Sequence, residues 1–143
     1  MDKPPLWTFE GFETPALNRP VEDWYWDEIV QDDRESIRDI ANYLANYKRT
    51  LWVEPRFKNL GDIGEIRKGT DHGALRVYGE FHEQRAAFVF LNGELKKTTR
   101  DRKGIEKARL RSKRLKRGEG ATHGFDFEKR FGGEVAQGTG VKN

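Results

Sequence analysis

Basic residues near the carboxyl end form the segment with the clearest chemical character. Residues 96–117 carry 12 Lys or Arg and 2 Asp or Glu, a net charge of +10, whereas the whole chain carries +3. The exposed face of an ordinary helix mixes both signs of charge. Such a concentration of one sign indicates a polyanionic partner, most often a nucleic acid. The alternatives are an acidic partner protein and the chain's own residues 1–35, which carry 10 acids and 3 bases.

The remaining composition excludes several other kinds of site. The chain has no cysteine, so it has no disulfide, thiolate zinc site or cysteine nucleophile. Its histidines are spread widely, at His72, His82 and His123, and we expect neither a metal nor a cofactor. No apolar run approaches the roughly 20 residues of a membrane helix. The start of the chain does not resemble a signal peptide. We therefore expect a cytoplasmic protein without membrane contact.

The hydrophobic pattern predicts the elements that position the basic segment. Residues 6–12 alternate loosely and predict a short strand. A short helix is expected from Val21, and a longer helix follows it and ends near Lys48 and Arg49. The apolar residues of this longer helix recur at helical spacing, at Ile37, Ile40, Ala41, Leu44 and Tyr47.

Three strand-like runs come next, at 63–67, 74–82 and 86–93. Their short linkers predict an antiparallel meander, and the third run is apolar on both faces, as a central buried strand would be. Residues 101–117 then predict a basic helix, whose narrow packing stripe is Ile105, Ala108, Ser112 and Leu115. The layout is that of a small α+β domain.

Four motifs in this region resemble those of RelE/ParE-superfamily toxins, particularly the phage-derived, HigB-like branch. Residues 60–67, LGDIGEIR, resemble the family strand L-x-x-G-L-x-E-L-R, and residues 74–78, ALRVY, are similar to its Y-R-I-x-Y strand. Residues 90–98, FLNGELKKT, are similar to the segment L-L-H-G-F-x-K-K-T. Residues 105–108 and the arginines after them fit the closing helix I-x-x-A-x-x-R. The resemblance covers about residues 21–117.

The resemblance implies an α+β domain with a RelE-like fold. In that fold, two N-terminal helices pack on a small antiparallel sheet and a basic helix follows. We expect this domain at 21–117, an acidic extension at 1–20 and a glycine-rich, flexible tail at 118–143. The tail contains an aromatic island, Phe125–Phe131, which is expected to bind a protein partner or to dock on this chain.

The function implied by the family is ribosome-dependent cleavage of mRNA, with a helix-turn-helix antitoxin as the protein partner. In this metal-independent reaction the RNA 2′-hydroxyl attacks the adjacent phosphate and leaves a 2′,3′-cyclic phosphate and a free 5′-hydroxyl. Such a site needs cations against the developing charge, and a base and an acid for two proton transfers.

Two arginines are the first candidates for binding the reacting phosphate. Arg67 and Arg76 lie on neighbouring predicted strands, and a planar guanidinium can hold a phosphate through two hydrogen bonds. The alternative is that both are ordinary solvated or ion-paired arginines of the sheet, neutralised by Glu65 and Glu80.

Tyr78 and His82 share the face of Arg76 on their strand. They are therefore the proton-transfer candidates, although an unperturbed tyrosine titrates near 10 and a histidine near 6.5. The cations expected to contact RNA and the ribosome are Lys96, Lys97, Arg100, Arg102, Lys103 and Arg109.

Departures from the family pattern favour a second function. Asn92 stands where the family commonly has histidine, and Glu94 stands where it has an aromatic residue. The alternative is a non-catalytic interaction protein on the same scaffold, which binds a host or phage protein in takeover or assembly. The basic helix and the arginine pair favour the nuclease.

Overall fold

A single mixed sheet organises the protein. A computed structural model describes residues 3–98 and 100–130. The strands are β1 (Thr8–Glu13), β2 (Phe57–Asn59), β3 (Gly64–Thr70), β4 (Gly73–His82), β5 (Ala87–Lys96) and β6 (Ala121–Gly124). They lie in the order β2-β3-β4-β5-β1-β6. β1 runs parallel to β5, and every other neighbouring pair is antiparallel.

Helices cover both faces of the sheet. They are α1 (Pro20–Asp27), α2 (Gln31–Leu44) and α3 (Arg102–Lys116). Phe88 and Phe90 of β5 pack in one core cluster with residues of α1 and α2. Val89 and Leu91 pack in a second cluster with Ala108 of α3. Because successive side chains of a strand point to opposite faces, α3 lies on the face opposite α1 and α2.

β5 is the central strand of both clusters. Its residues Ala87 to Leu91 are at most 1% exposed, so the prediction of a strand buried on both faces is confirmed. Further along β5, Gly93 lets α1 approach closely. A Cβ atom on Gly93 would lie 2.3 Å from a ring carbon of Trp24, which is far inside van der Waals contact.

The predicted longer helix and the basic helix at 101–117 are both present, but the longer helix ends at Leu44, before the predicted end near Lys48 and Arg49. Ile37, Ala41 and Leu44 of α2 are buried against the sheet, whereas Tyr47 lies beyond the end of the helix. α3 begins at Asp101, whose side chain accepts a hydrogen bond from the backbone N–H of Gly104 at 3.1 Å. An acidic N-cap of this kind satisfies an otherwise unpaired donor of the first turn.

The predicted fold class is wrong, because the sheet is neither small nor antiparallel throughout. We expected a small antiparallel sheet with two helices packed on it, and the structure has a mixed sheet of six strands. The meander β3-β4-β5 is as predicted, but β1 adds to it in parallel and β6 extends it further. Parallel pairing between distant segments leaves no local signal in the sequence, because no turn joins the two strands.

Residues outside the predicted domain take part in the sheet and its core. β1, from the expected extension at 1–20, lies between β5 and β6. β6 comes from the expected tail, and Phe125 and Phe127 after it pack on the first core cluster. For residues 121–127 the structure therefore has a strand and a segment docked on its own chain in place of a flexible tail. Phe131 and the residues after it lie outside the described part of the chain.

Candidate nucleic-acid interface

α3 contacts the sheet through a narrow stripe, so most of its circumference faces solvent. The buried residues of this helix are Gly104, Ala108 and Ser112. Around them, within the described ranges, nine basic side chains form no hydrogen bond or ion pair with another residue. They are Lys97, Arg100, Arg102, Lys103, Lys107, Lys113, Arg114, Lys116 and Arg117. We call these nine residues the basic face.

The basic face is extended and nearly of one sign. α3 has 15 residues, which corresponds to a length of about 22 Å. Lys103, Lys107 and Arg114 follow one line along it, since residues spaced by three or four positions lie above one another. Glu106 is the only acid within the helix, and Leu110 is an exposed apolar residue, at 53%. Successive phosphates of one nucleic-acid strand rise by about 3.4 Å, so the helix can follow several of them.

Two basic residues of α3 are used within the protein. The Nε of Arg109 lies 3.1 Å from Oδ1 of Asp62. Arg111 donates from Nη1 to the carbonyl oxygen of Leu91 at 2.9 Å, and burial lowers the pKa of its guanidinium. Arg109 is therefore ion-paired on the surface of the protein, and its role as an RNA contact stays a prediction.

Of the predicted RNA contacts at the end of β5, Lys97 belongs to the basic face and Lys96 does not. The Nζ of Lys96 lies 3.9 Å from Oε1 of Glu94, on the same strand. The predicted contacts Arg100, Arg102 and Lys103 all lie on the basic face. Four of the six predicted cations are thus brought together on one surface.

The two candidate phosphate-binding arginines are neighbours across β3 and β4, as predicted. Arg76 is only 6% exposed. Its Nη1 lies 3.1 Å from Oε2 of Glu65, and its Nη2 donates to the carbonyl oxygen of Thr98 at 3.0 Å. The Nε of Arg67 lies 3.7 Å from the same Glu65 oxygen, and Nη1 lies 3.5 Å from Glu54. The carboxylates of Glu65 and Glu54 therefore compensate the pair, and Arg76 does not face a phosphate in solvent.

Tyr78 is also inside the protein, with no exposed surface. Its hydroxyl donates to Oδ2 of Asp101 at 3.0 Å. Burial, together with the charges of Glu65 and Asp101, raises the pKa of Tyr78 far above its usual value. Tyr78 does not face solvent in this geometry, because α3 covers this face of β4, and its expected proton-transfer role stays a prediction. Tyr78 positions the residue that begins that helix.

His82 lies at the other end of α3, in a cleft of about 430 Å³. Its Nε2 is 2.7 Å from Oε2 of Glu80, and Oε1 of Glu80 accepts a hydrogen bond from Ser112 at 2.5 Å. The cleft also exposes Arg49 and Lys116. His82 and Tyr78 therefore share a strand face but not a site, because Tyr78 lies at the start of α3 and His82 near its end.

Three further residues position α3: the roles of Asn92 and Asp101 were missed in the sequence, whereas Ser112 was predicted on the packing stripe without its contact to Glu80. Asn92 donates to the carbonyl oxygen of Gly104 at 3.1 Å. The hydroxyl of Ser112 donates to Glu80, and Asp101 accepts a hydrogen bond from the first turn of the helix. An Asp directly before a helical pattern is an N-cap signal that could have been used. The contacts of Asn92 and Ser112 depend on tertiary packing and have no such signal.

Comparison with known proteins gives no relative: no family model, no curated protein and no solved structure matches this chain. The resemblance to RelE/ParE toxins therefore stays a prediction from the motifs. Among the described residues, no helix has the length and apolar character to span a membrane.

Proposed function

We propose that the protein binds RNA through the basic face of α3. The observation that carries this proposal is the set of nine basic side chains without a partner in the described part of the chain. Cations that neutralise phosphates release condensed counterions, which drives binding and makes it dependent on salt. The ribosome, which the toxin resemblance implies as the target, presents dense RNA phosphate and would place the protein in the cytoplasm.

The surface chemistry favours a nucleic acid over an acidic protein. Protein interfaces have a core of apolar and aromatic residues and are depleted in lysine. The described face of α3 offers one exposed large apolar side chain, Leu110, among lysines and arginines. A helix-turn-helix antitoxin, the partner implied by the resemblance, would have to cover this face with acidic residues and would then compete with RNA.

Cleavage of mRNA at the ribosome is a second candidate function, and the position of His82 favours it. Its side chain is 25% exposed, and Glu80 holds its Nε2. Nδ1 has no partner among the described residues and can accept the proton of an RNA 2′-hydroxyl. Lys116, in the same cleft, would stabilise charge on the phosphate. The non-catalytic interaction protein is the alternative outcome.

The binding proposal is tested by fluorescence anisotropy with a labelled RNA hairpin and with purified ribosomes, across a range of salt concentrations. The variant Lys103→Gln/Lys107→Gln removes two charges of the basic face. We expect an affinity loss of about 2- to 30-fold, from two exposed ion pairs. The slope of log affinity against log salt should decrease by roughly 1.4 to 1.8.

The matched control is Lys48→Gln/Lys58→Gln, which removes the same charge from exposed lysines outside α3 and outside the cleft described below. Equal losses in both variants would mean that RNA binding depends only on net charge, and this would overturn the assignment to α3.

Cleavage is tested separately by mapping mRNA ends in a cell-free translation reaction. The new ends made by cleavage should disappear with His82→Ala and remain with His72→Ala. If the native protein leaves the mRNA intact, the protein binds RNA without cleaving it.

A further inference from the structure

Exposed aromatic residues lie at the carboxyl end of α2, on the opposite face of the sheet from α3. Tyr43 and Tyr47 are 43% and 38% exposed, and their ring centroids are 4.9 Å apart. Large aromatic side chains normally bury most of their surface in a core. Two adjacent exposed rings are therefore a feature that the packing of the sheet does not explain.

Basic side chains surround these rings. The guanidinium carbon of Arg56 lies 4.2 Å above the ring centroid of Tyr43. Arg56 and Lys68 are exposed and form no ion pair within the described residues. Asp39 is the one acid among the residues that line the cleft beside the rings, and Nη2 of Arg38 lies 3.2 Å from its Oδ1. The patch therefore combines flat π surfaces with uncompensated positive charge.

A shallow cleft of about 330 Å³ opens beside the rings. Its lining residues are Ser36, Asp39, Ile40, Tyr43, Arg56 and Lys68. Unpaired nucleic-acid bases stack on aromatic rings and on arginine planes, while nearby cations bind the backbone phosphates. The cleft thus places both kinds of contact within the reach of one nucleotide.

We propose that Tyr43, Tyr47 and Arg56 form a stacking platform for an unpaired RNA base, and that Lys68 binds an adjacent phosphate. This inference rests on the proposed function and adds to it a second contact site with a different preference. The basic face of α3 recognises phosphate in any structure, whereas the platform requires a base that is free of pairing. Together they would favour RNA that has a single-stranded segment.

An apolar protein segment is the other occupant to consider, because Leu51 and Val53 are also exposed, at 57% and 58%. These residues flank Trp52, whose indole N–H donates to the carbonyl oxygen of Tyr47. The cations favour the nucleotide: Arg56 is already stacked on Tyr43 and Lys68 lies in the same cleft. A protein segment would leave these charges without a counterpart unless it were acidic as well.

The test compares two labelled strands of ten nucleotides, a single-stranded RNA and the same strand with abasic sites, binding to the full chain. We expect the native protein to prefer the strand with bases by about 5- to 150-fold for each base stacked. Tyr43→Leu should abolish this preference and leave the salt slope unchanged. Leu51→Ser/Val53→Ser is the matched control and should retain the preference.

The outcomes separate this inference from the proposed function. Equal affinity of the native protein for the two strands would overturn the platform, even if the α3 variant loses binding as expected. A base preference that disappears in Tyr43→Leu would support the platform, even if Lys103→Gln/Lys107→Gln binds RNA normally. Loss of the preference in the Leu51→Ser/Val53→Ser control would overturn it too, because the base contact would then depend on Leu51 and Val53. The unfolding midpoint of each variant checks that it is folded.

Discussion

The two sides of α3 use basic residues in opposite ways. On the side that faces the sheet, Arg111 donates to backbone and side-chain oxygens of β5, and beneath the helix Arg76 is bound to Glu65. On the outer side, Lys103, Lys107 and other cations have no partner among the described residues. The inner cations hold the helix to the sheet, and the outer cations contribute nothing to the fold that we can identify.

The difference shows that a run of basic residues in a sequence can contain two functional classes. The class of each residue depends on whether an acid or a carbonyl oxygen from another element comes within reach. Arg109 meets Asp62, which lies far away in the sequence, whereas Lys107, two positions earlier, meets none in the described structure. A ligand-binding role is therefore assigned only to cations that the fold leaves uncompensated.

The largest effect is expected where an inner charge loses its partner. Glu65→Ala leaves Arg76 buried without its carboxylate, and loss of one partner of a buried pair costs about 3–5 kcal/mol in free energy of unfolding. Urea denaturation measures this change. Glu54→Ala removes the exposed partner of Arg67 and should change the same quantity by less than about 1 kcal/mol. Similar values for the two variants would contradict the contrast between buried and exposed ion pairs.

A smaller loss is expected at the junction between Tyr78 and the start of α3. Asp101→Ala removes the N-cap of the helix and the acceptor of the buried Tyr78 hydroxyl. The cap alone is worth about 1 kcal/mol, and the unsatisfied hydroxyl adds about 1–3 kcal/mol. Tyr78→Phe leaves the cap in place and should cost less than Asp101→Ala. The order of the two unfolding free energies is the result to check.

Stability is also expected to depend on pH through His123, away from both proposed RNA sites. Its Nδ1 donates to the carbonyl oxygen of Gly124, and its buried Nε2 has no partner in the described structure. Burial lowers the pKa of His123, and the charges around it are Arg19, Glu22 and Glu13.

Because the unfolded chain binds a proton more readily than the folded one, the unfolding free energy should be highest above pH 6.5. It should fall as the pH drops below this value, by at most about 1.4 kcal/mol per pH unit. His123→Gln should flatten this dependence between pH 5 and 7. His72→Gln, which alters an exposed histidine on the surface, is the control. Its unfolding free energy should still depend on pH more steeply than that of His123→Gln.

The sequence predicts what is local and periodic in this fold. α2, α3 and the meander follow from hydrophobic spacing and short linkers, and the register of Arg67 against Arg76 follows from the meander. The parallel pairing of β1 with β5 and the docking of Phe125 were not predictable in this way, because both join segments that are far apart in the chain.

The same limit explains the outcome at the candidate site. The composition of residues 96–117 predicts the basic face without knowledge of the fold. The burial of Arg76 and Tyr78 follows instead from α3 packing on their side of β4, and the sequence pattern of β4 is the same whether that side is open or covered. Tyr43 and Arg56 come together across α2 and the loop before β2, so their contact has no signal of its own.

The smallest effect on stability should have the opposite sign to all the others. Lys103 lies in the first turn of α3, where a cation is unfavourable to the helix dipole, and its neighbours three and four residues on are Glu106 and Lys107. Lys103→Glu exchanges repulsion from Lys107 for repulsion from Glu106, so the dipole decides: the unfolding free energy should rise by about 0.5 kcal/mol, while RNA affinity falls. Lys48→Glu, outside the helix, should raise neither the unfolding free energy nor the RNA affinity. A surface that becomes more stable as it loses its ligand is one retained for binding, whereas a loss of stability in Lys103→Glu would place this lysine among the residues that hold the fold.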